Sequence, residues 1–363
     1  MLQKWFAAGA ALVLAAAALS EAHAQRFRDA VDPRARDLQA APAPDSTPAP
    51  DYRAGARRFA VEIEDGSWTD AARSREIPWR LYRPAGVESA PVLVFSHGGG
   101  GSREGGAWLG EYLAGFGYAS FHIEHAGTDG DAVREAVRAV PRRERRDAAR
   151  EAFAQIGAAV NDPALAEDRF RDLAFAAEQI AHMGAAAGLD PSRLGVYGHS
   201  FGAISTLVAA GQAVEGYGRS LAVPAFDAAL ALSPSPPRPG YGTAEAAYQD
   251  MTAPVFHITG TRDESPGGDV SARERLIPFE TIRDVDQYAL VLDGAAHMTF
   301  GGRAPRSDDD FERHVRAVRI AALAFFDAHL LGDPRAHSFL AEGGAFERSL
   351  GEADEYRVKS AER

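Results

Sequence analysis

The sequence predicts an α/β fold in which a mostly parallel central sheet is covered by helices on both faces. Short apolar runs of strand length alternate with segments of helical spacing over most of the chain. The apolar runs are nearly continuous, as expected for strands that are buried on both faces. One of them, PVLVFSHG, ends in glycines. The carboxyl ends of such strands are where a sheet of this kind binds its ligand.

The first half of the predicted domain begins near Tyr52 with two antiparallel strands, RRFAVEIED and EIPWRLYRP. PVLVFSHG (91–98) is expected to be a buried parallel strand. A helix follows over 104–117, because EGGAWLGEYLAGFG has helical spacing and ends in glycine. The next strand is YASFHIEH (118–125).

Residues 129–160 are charged and rich in alanine, and they contain Pro141 and the basic run RRERR at 142–146. We expect a helical insertion that covers the edge of the sheet or the mouth of the site. The basic run could bind an anion, but a solvated helix face is the preferred interpretation.

The second half of the domain continues the alternation of helices and strands. Asp162 can cap a helix that runs to about Met183, and Pro163 suits its first turn. RLGVYGHS is a short strand, and FGAISTLVAAGQA is the helix after it. The remaining expected elements are strands over 226–233, 254–260 and 287–294 and an amphipathic helix over about 308–330.

The N-terminus has the pattern of a secretory signal peptide. Lys4 precedes an apolar stretch, and Ala22-His23-Ala24 matches an A-x-A cleavage site. The predicted organisation is a signal peptide (1–24), a linker rich in proline and alanine (25–51), a catalytic domain (52–335) and a C-terminal tail (336–363). We therefore expect an exported protein, periplasmic or secreted, with no stable membrane anchoring after cleavage of the signal.

Composition excludes several classes of function. The net charge is −12, whereas nucleic-acid binding needs basic surfaces. The chain contains no cysteine, so thiolate nucleophiles, disulfides and cysteine-ligated metals are excluded. A metal site built from the H-x-E-H pattern at His122 and His125 is disfavoured, because residues three apart on a strand face opposite ways. No metal or other cofactor is predicted.

The segment GVYGHSFGAIST carries the main chemical motif. Gly198-His199-Ser200-Phe201-Gly202 matches G-x-S-x-G, in which a serine lies on a tight turn between a strand and a helix. The flanking glycines avoid collisions with neighbouring elements, and the helix N-terminus favours developing negative charge. Ser200 is the candidate nucleophile.

A serine hydroxyl needs an adjacent base. In a site with this motif, the expected chain order is serine, acid, histidine. His297 follows a strand and lies in a loop of small residues, LVLDGAAH, where an imidazole can reach back over the sheet. We predict that His297 is the base. The other histidines after the serine are placed inside a strand, on the last helix or in the tail: His257, His314, His329 and His337.

The predicted acid is Asp263, just past the end of the strand PVFHITG in a segment rich in turn residues. Its role would be to fix the tautomer of the imidazole. Three other carboxylates are alternatives: Glu264 is adjacent, Asp227 lies at the start of a strand, and Asp293 is close to His297 in sequence.

Two backbone amides are expected to stabilise an oxyanion. One is that of Phe201, the residue after the nucleophile. The other should come from the loop SHGGGGS (96–102), with Gly99 as first choice and Gly100 as second. A phosphate-binding loop is disfavoured, because no G-K-[ST] follows the glycines.

Other polar residues near the expected site are interpreted as supporting groups. His97 and His125 are expected to form hydrogen bonds, and His199 to pack or bond below the nucleophile. Arg169 and Asp172, three apart on a helix, are expected to form a local ion pair. Three apolar residues could line an acyl pocket or pack in the core: Trp108, Met298 and Phe300.

With these residues assembled, the chain resembles the α/β-hydrolase superfamily. More narrowly, it is similar to exported bacterial esterases of the dienelactone-hydrolase-like and platelet-activating-factor-acetylhydrolase-like groups. The resemblance covers about 90–330, through VFSHGGGGSREG with GYASFHIEHAGTDG, RFRDLAFAAEQI, GVYGHSFGAIST, ALALSPSP, ITGTRDES and LVLDGAAHMTFGG.

The resemblance implies an α/β-hydrolase fold and hydrolysis of small-molecule or polymeric esters through an acyl-enzyme, without a cofactor. Dienelactone hydrolases themselves use a cysteine nucleophile, which this chain lacks, so that activity is not expected. An acyltransferase or an amidase on the same three residues is the alternative. A non-catalytic binding protein that retains the fold is a further one.

Overall fold

A computed structural model describes residues 57–304 and 310–362. The predicted signal peptide (1–24) and linker (25–51) lie outside the described residues. The described residues belong to one compact unit, Ala49–Arg363. Within them, no helix has the length and apolar character needed to cross a membrane.

In the described part of the chain, nine strands form one sheet in the order β1-β2-β4-β3-β5-β6-β7-β8-β9. The strands β3 to β8 pair in parallel in the order 4-3-5-6-7-8, whereas β1, β2 and β9 pair in antiparallel fashion at the two edges. The strands are β1 Val61–Asp70, β2 Arg75–Pro84, β3 Ala90–Ser96, β4 Ala119–Ile123, β5 Leu189–His199, β6 Ala228–Leu232, β7 Val255–Arg262, β8 Gln287–Ala296 and β9 Glu355–Lys359.

Helices occupy the connections between the strands. They are α1 Ala107–Gly115, α2 Gly130–Arg138, α3 Arg145–Asn161, α4 Pro163–Met183, α5 Phe201–Ala209, α6 Ala244–Tyr248, α7 Ile277–Thr281, α8 His297–Phe300, α9 Phe311–Leu330, α10 Pro334–Leu340 and α11 Ala345–Arg348. Asp162 caps α4 by accepting the Ala164 amide, and Pro163 occupies its first turn, as predicted.

The core lies on both faces of the sheet. In β3, Val92 and Val94 pack with α4 and α5 on one face. Leu93 and Phe95 point the other way, toward α1 and α9. All residues of β3 are buried, which explains why its apolar run does not alternate with polar residues. The predicted α/β class and the mostly parallel sheet are therefore present.

The predicted insertion is helical and forms α2 and α3. Helix α3 packs against the loop after β3: Ile156 lies over Gly99, where an added Cβ would come within 2.8 Å of its Cγ2. Ile156 is buried, whereas Phe153 on the same helix is 54% exposed. The insertion thus lies beside the carboxyl ends of the central strands.

The chain from 336 to 362 is part of the fold, whereas the sequence suggested a tail. Strand β9 pairs with β8 over five residues, from Gln287 with Lys359 to Val291 with Glu355. Tyr356 packs on Phe346 of α11 with ring centroids 5.1 Å apart, and its hydroxyl donates to the Leu340 carbonyl. The expected domain boundary at 335 is corrected accordingly. A strand with one exposed face has few apolar residues, which hid it in this charged segment.

Candidate active site

Ser200 lies at the turn between β5 and α5. Its backbone has φ 59° and ψ −117°, a region that residues with a side chain rarely adopt. Its amide donates to the Leu232 carbonyl at 3.0 Å, which ties the turn to the end of β6. The side chain is half-buried and therefore accessible from solvent. Such strain is typical of functional positions that the surrounding fold holds in place.

The two glycines of the motif are required by packing. A Cβ at Gly202 would overlap the Ser96 carbonyl at the end of β3. A Cβ at Gly198 would overlap the Gly202 carbonyl and lie 2.8 Å from Thr206 Oγ1. No larger residue fits at either position without moving backbone. The turn therefore brings β3, β5 and α5 as close together as their backbones allow.

The structure brings Ser200, His297 and Asp263 together. The Ser200 Oγ lies 2.9 Å from His297 Nε2, and His297 Nδ1 lies 2.8 Å from Asp263 Oδ1. Asp263 directly follows β7 and is fully buried, and Thr259 donates to its other carboxylate oxygen at 2.8 Å. His297 directly follows β8 and is 8% exposed. Three strand ends thus supply one hydrogen-bonded chain of side chains.

The other histidines after Ser200 lie elsewhere. His257 is inside β7, where its Nε2 is 3.1 Å from Gln287 Oε1. His314 and His329 are on α9, and His337 is on α10.

The other carboxylates considered for the acid have different partners or surroundings. Glu264 is exposed. Asp227 accepts the Leu194 amide at 3.2 Å at the opposite end of the parallel strands. Asp293 accepts the Thr261 hydroxyl at 3.0 Å. Asp263 is therefore the carboxylate that reaches the imidazole.

Arg275 is a site residue that the sequence analysis missed. Its side chain is 1% exposed, and its Nε lies 3.0 Å from Asp263 Oδ1 while its Nη2 lies 3.1 Å from His297 Nδ1. Nη1 donates to the carbonyls of Ser233 and Pro234 at the end of β6. Burial lowers the pKa of Arg275, and the negative charge of Asp263 partly offsets this effect. Nothing in its segment, SARERLIP, distinguishes it from a surface arginine.

Arginine has no acceptor, so the contacts of Arg275 and Asp263 with His297 favour different tautomers. If Nδ1 carries the proton, it donates to Asp263 and leaves Nε2 free to accept from Ser200. If Nδ1 carries none, it accepts from Arg275 and the Ser200 hydroxyl loses its acceptor. The carboxylate therefore has to dominate for a base to face the serine.

His199 supports the loop that carries His297. The two imidazole rings are 4.8 Å apart, and His199 Nε2 lies 3.0 Å from the His297 carbonyl oxygen. Burial, with the nearby His297, lowers the pKa of His199 well below its usual value, so the ring is neutral at pH 7. A neutral ring that donates through Nε2 fixes the backbone of His297 without adding charge.

The amides of Phe201 and Gly99 are available as oxyanion donors. Among the described residues, neither amide donates a hydrogen bond to another group. Gly98 lies directly against the nucleophile, since a Cβ there would be 3.4 Å from the Ser200 Cβ. The Gly100 amide, the second choice, donates to the Thr128 carbonyl at 2.8 Å. The prediction of Gly100 is therefore corrected, and Gly99 remains.

A second serine–histidine–aspartate array lies behind this loop. Ser96 Oγ is 2.9 Å from His125 Nε2, and His125 Nδ1 is 3.0 Å from Asp172 Oδ2. All three residues are fully buried, so no substrate can reach them. Burial and the positive charge of Arg169 lower the pKa of His125 well below its usual value, so the ring is neutral. This array is a support for the loop.

Arg169 joins the array to the loop and to α5. It donates to Ser96 Oγ at 3.0 Å, to the His97 carbonyl and to Ser205 Oγ at 2.9 Å. Its guanidinium lies 4.4 Å from the centroid of the Phe201 ring. Burial lowers the pKa of Arg169 to about 9, so the side chain remains charged at neutral pH.

The expected ion pair between Arg169 and Asp172 is replaced by other contacts. Asp172 pairs with Arg73 at 2.9 Å and with Arg75 at 2.8 Å, both near the edge of the sheet. Arg169 therefore binds the loop after β3, whereas Asp172 binds two arginines near the edge of the sheet.

Arg169→Met is expected to destabilise the protein by about 3–5 kcal/mol, because it leaves several buried acceptors without their donor. Arg171→Met is the matched control: Arg171 is largely exposed and pairs with Glu167 one helical turn away, so the loss should stay within about 0.5 kcal/mol. Urea unfolding measures both. Equal stability of the two variants would contradict the role given to Arg169.

Glu124, next to His125 in sequence, is a buried carboxyl. It is 5% exposed, its Oε1 has no hydrogen-bond partner among the described residues, and its Oε2 lies 3.6 Å from Arg103 Nη1. Burial, with the nearby Glu104 and Asp129, raises its pKa to about 7. In the unfolded chain the pKa of Glu124 is near 4.5. Between pH 4.5 and about pH 7, Glu124 is therefore protonated in the folded protein and ionised in the unfolded chain.

Stability should therefore fall as the pH rises from about 4.5 to about 7, by about 1–3 kcal/mol from this group. Glu124→Gln removes the titration while keeping the shape. We expect the stability of this variant relative to the original protein to increase across that range, as measured by urea unfolding at a series of pH values. A constant difference between the two proteins would show that Glu124 does not titrate there.

Two cavities lie away from the triad of Ser200, His297 and Asp263. One of about 540 Å³ is lined by Asp70, Arg73, Glu167, Asp168 and Arg171 among others, and one of about 320 Å³ includes His337 and Lys359. Neither includes Ser200, Asp263 or His297. Within 57–304 and 310–362, no group of three or more histidine or acidic side chains is placed to hold a metal ion.

The geometry of the triad can support nucleophilic catalysis by Ser200, with His297 as base and Asp263 as the group that orients it. The accessible serine, the buried acid and the free amides lie at the carboxyl ends of the central parallel strands. In comparisons with known proteins, neither a family model nor a curated sequence matches this chain.

Proposed function

We propose that this protein is a serine hydrolase that cleaves carboxylic esters through an acyl-enzyme, on an α/β-hydrolase fold. The observation that carries the proposal is the hydrogen-bonded chain from Ser200 through His297 to Asp263, with the serine at a strained turn. The chain order serine, acid, histidine is that of α/β-hydrolases, and it supports the same assignment.

In the first half of the reaction, Ser200 Oγ attacks the ester carbonyl carbon while His297 Nε2 takes the hydroxyl proton. Asp263 accepts a hydrogen bond from Nδ1–H and stabilises the imidazolium that forms. The carbonyl oxygen becomes an oxyanion, which the amides of Phe201 and Gly99 stabilise. Phe201 is the first residue of α5, so the positive end of the helix dipole adds to this stabilisation.

The tetrahedral intermediate collapses when the bond to the alcohol oxygen breaks. His297 Nε2 returns its proton to that oxygen, and the acyl group stays on Ser200 as an ester. Water then attacks the acyl carbon while His297 Nε2 takes a proton from it. The bond from that carbon to Ser200 Oγ breaks, Oγ receives the proton from His297, and the carboxylic acid leaves.

A fluorophosphonate probe together with an ester assay tests the proposal. The protein should hydrolyse p-nitrophenyl acetate, lose that activity after reaction with the probe, and carry one adduct on Ser200 in peptide mapping. Failure of the folded protein to react with the probe or to hydrolyse any ester would favour a binding protein. Faster product formation with added alcohol acceptors would identify an acyltransferase, and turnover of amides an amidase.

We further propose that the protein is exported to the periplasm or the medium and acts there on small-molecule or polymeric esters. The pattern of residues 1–24 supports export. Mass spectrometry of the protein purified from the periplasmic fraction of an expressing bacterium should show an N-terminus at Gln25. Recovery of the uncleaved chain in the cytoplasm would contradict export.

A further inference from the structure

The glycine loop after β3 leads from the nucleophile to the insertion. A Cβ at Gly98 would lie 3.4 Å from the Ser200 Cβ, and one at Gly99 would lie 2.8 Å from Ile156 Cγ2. A Cβ at Gly100 would lie 2.7 Å from Cε1 of the Phe153 ring. Three consecutive residues thus contact the catalytic serine, the buried face of α3 and an aromatic ring. Phe153 on α3 therefore packs on Gly100, two residues after the glycine that lies against Ser200.

Phe153 is exposed although it packs on this loop. The large apolar side chains that are exposed within the described residues are four: Ile63, Phe153, Leu165 and Met298. Two of them lie on segments that carry or adjoin the site. Phe153 is 54% exposed and packs on Gly100 of the glycine loop, and Met298, next to His297, is 36% exposed. Exposed apolar groups at the rim of a site are available to bind an apolar part of a substrate.

The chemistry of ester cleavage indicates on which side of Ser200 the alcohol group and the acyl group of the substrate lie. The leaving alcohol oxygen must receive its proton from His297 Nε2, so the alcohol lies on the side of His297 and Met298. The carbonyl oxygen points toward the amides of Phe201 and Gly99. The acyl chain then leaves the tetrahedral carbon away from His297. In the strand order β3-β5-β6-β7-β8, the loop after β3 lies on one side of Ser200 and His297 lies on the other. Phe153 packs on that loop at Gly100, so it lies on the side away from His297.

We propose that Phe153 is a specificity-determining residue that binds the acyl group, and that the preferred substrates are esters of medium-chain or aromatic acids. Met298 binds the alcohol group. The proposal rests on the proposed esterase function. A six-carbon acyl chain or a benzoyl ring offers more apolar surface to place against Phe153 than an acetyl group does, and this contact removes that surface from water.

The test compares p-nitrophenyl acetate, butyrate, hexanoate and benzoate, which share one leaving group. We expect kcat/KM of the unmodified protein to rise by about tenfold from acetate to hexanoate. Phe153→Ala should reduce that ratio to about twofold or less, and Phe153→Leu should restore most of it. Leu165→Ala is the matched control, because Leu165 is also exposed, at 58%, and lies on α4. It should leave the ratio unchanged.

A second series varies the alcohol at a fixed acyl group: methyl, butyl and benzyl acetate, followed by titration of the released acid. Met298→Ala should change the ratios in this series, and Phe153→Ala should not. If Phe153→Ala changes the alcohol series instead, or behaves like Leu165→Ala in the acyl series, the assignment of Phe153 is wrong. If the unmodified protein hydrolyses none of the esters, the proposed function itself fails.

Discussion

Replacement of Ser200 by alanine should lower kcat for p-nitrophenyl acetate by about 10⁵–10⁶-fold, because it removes the atom that forms the acyl-enzyme. The fold should be unaffected: the Ser200 backbone keeps its hydrogen bond to Leu232, and the lost hydroxyl forms a hydrogen bond only with His297 among the described residues. Steady-state kinetics and circular dichroism measure the two effects.

Ser233 provides a matched control, since it also follows a strand of the central sheet and has φ 56°. Its side chain is fully buried, and its Oγ has no hydrogen-bond partner among the described residues. Ser233→Ala should therefore retain activity within about threefold. Activity that survives in the Ser200 variant, or that disappears with Ser233, would reject Ser200 as the nucleophile.

Replacement of Asp263 by asparagine should lower kcat by about 10⁴-fold, the size of effect seen when a triad histidine is held in the wrong tautomer. Here Arg275 adds a second consequence. Its Nη2 lies 3.1 Å from His297 Nδ1, so loss of the carboxylate leaves a cation that favours the unproductive tautomer. The variant should also unfold more easily, because Arg275 loses the opposite charge at 3.0 Å.

Glu264→Gln is the control for this prediction, because Glu264 is the adjacent carboxylate and is exposed. We expect neither kcat nor the urea midpoint to change in that variant. Arg275→Met separates the two effects of Asp263→Asn: stability should fall, while the carboxylate that orients His297 remains. Equal kcat for the Asp263→Asn and Glu264→Gln variants would remove Asp263 from the site.

The proximity of Ser200, Asp263 and His297 could be predicted, because each residue directly follows a strand. Residue order places Ser200, Asp263 and His297 after three buried apolar runs, and parallel strands bring their carboxyl ends to one edge of the sheet. The G-x-S-x-G motif also shows, from the sequence alone, that the two glycine positions allow no side chain. The positions of these three residues can therefore be inferred from the order and direction of the strands alone.

The support around the triad could not be predicted, because it depends on contacts between distant segments. Arg169 on α4 meets Ser96 at the end of β3, and Arg275 meets residues from three strand ends. Which side of a helix faces a given loop follows from the packed sheet and not from the spacing along the helix. The three-residue spacing on a helix therefore suggested an ion pair between Arg169 and Asp172, whereas each side chain binds partners from other segments.

The glycine loop shows the same limit. Four glycines permit many backbone conformations, so the sequence could name the loop but not the amide that points into the site. The hydrogen bond from Gly100 to Thr128 makes that distinction, and it requires the position of the loop after β4. Strand β9 was missed for a related reason, since EYRVK pairs with β8 at the edge of the sheet and carries charges on its exposed face.

The central claim is that Ser200 becomes acylated with His297 as its base. The most direct test is acid quenching during turnover of p-nitrophenyl hexanoate, followed by peptide mapping by mass spectrometry. We expect the mass of one hexanoyl group on the peptide that contains Ser200, and no such species when His297 is replaced by alanine. Turnover without any acylated peptide, or an acyl group on another residue, would contradict the account.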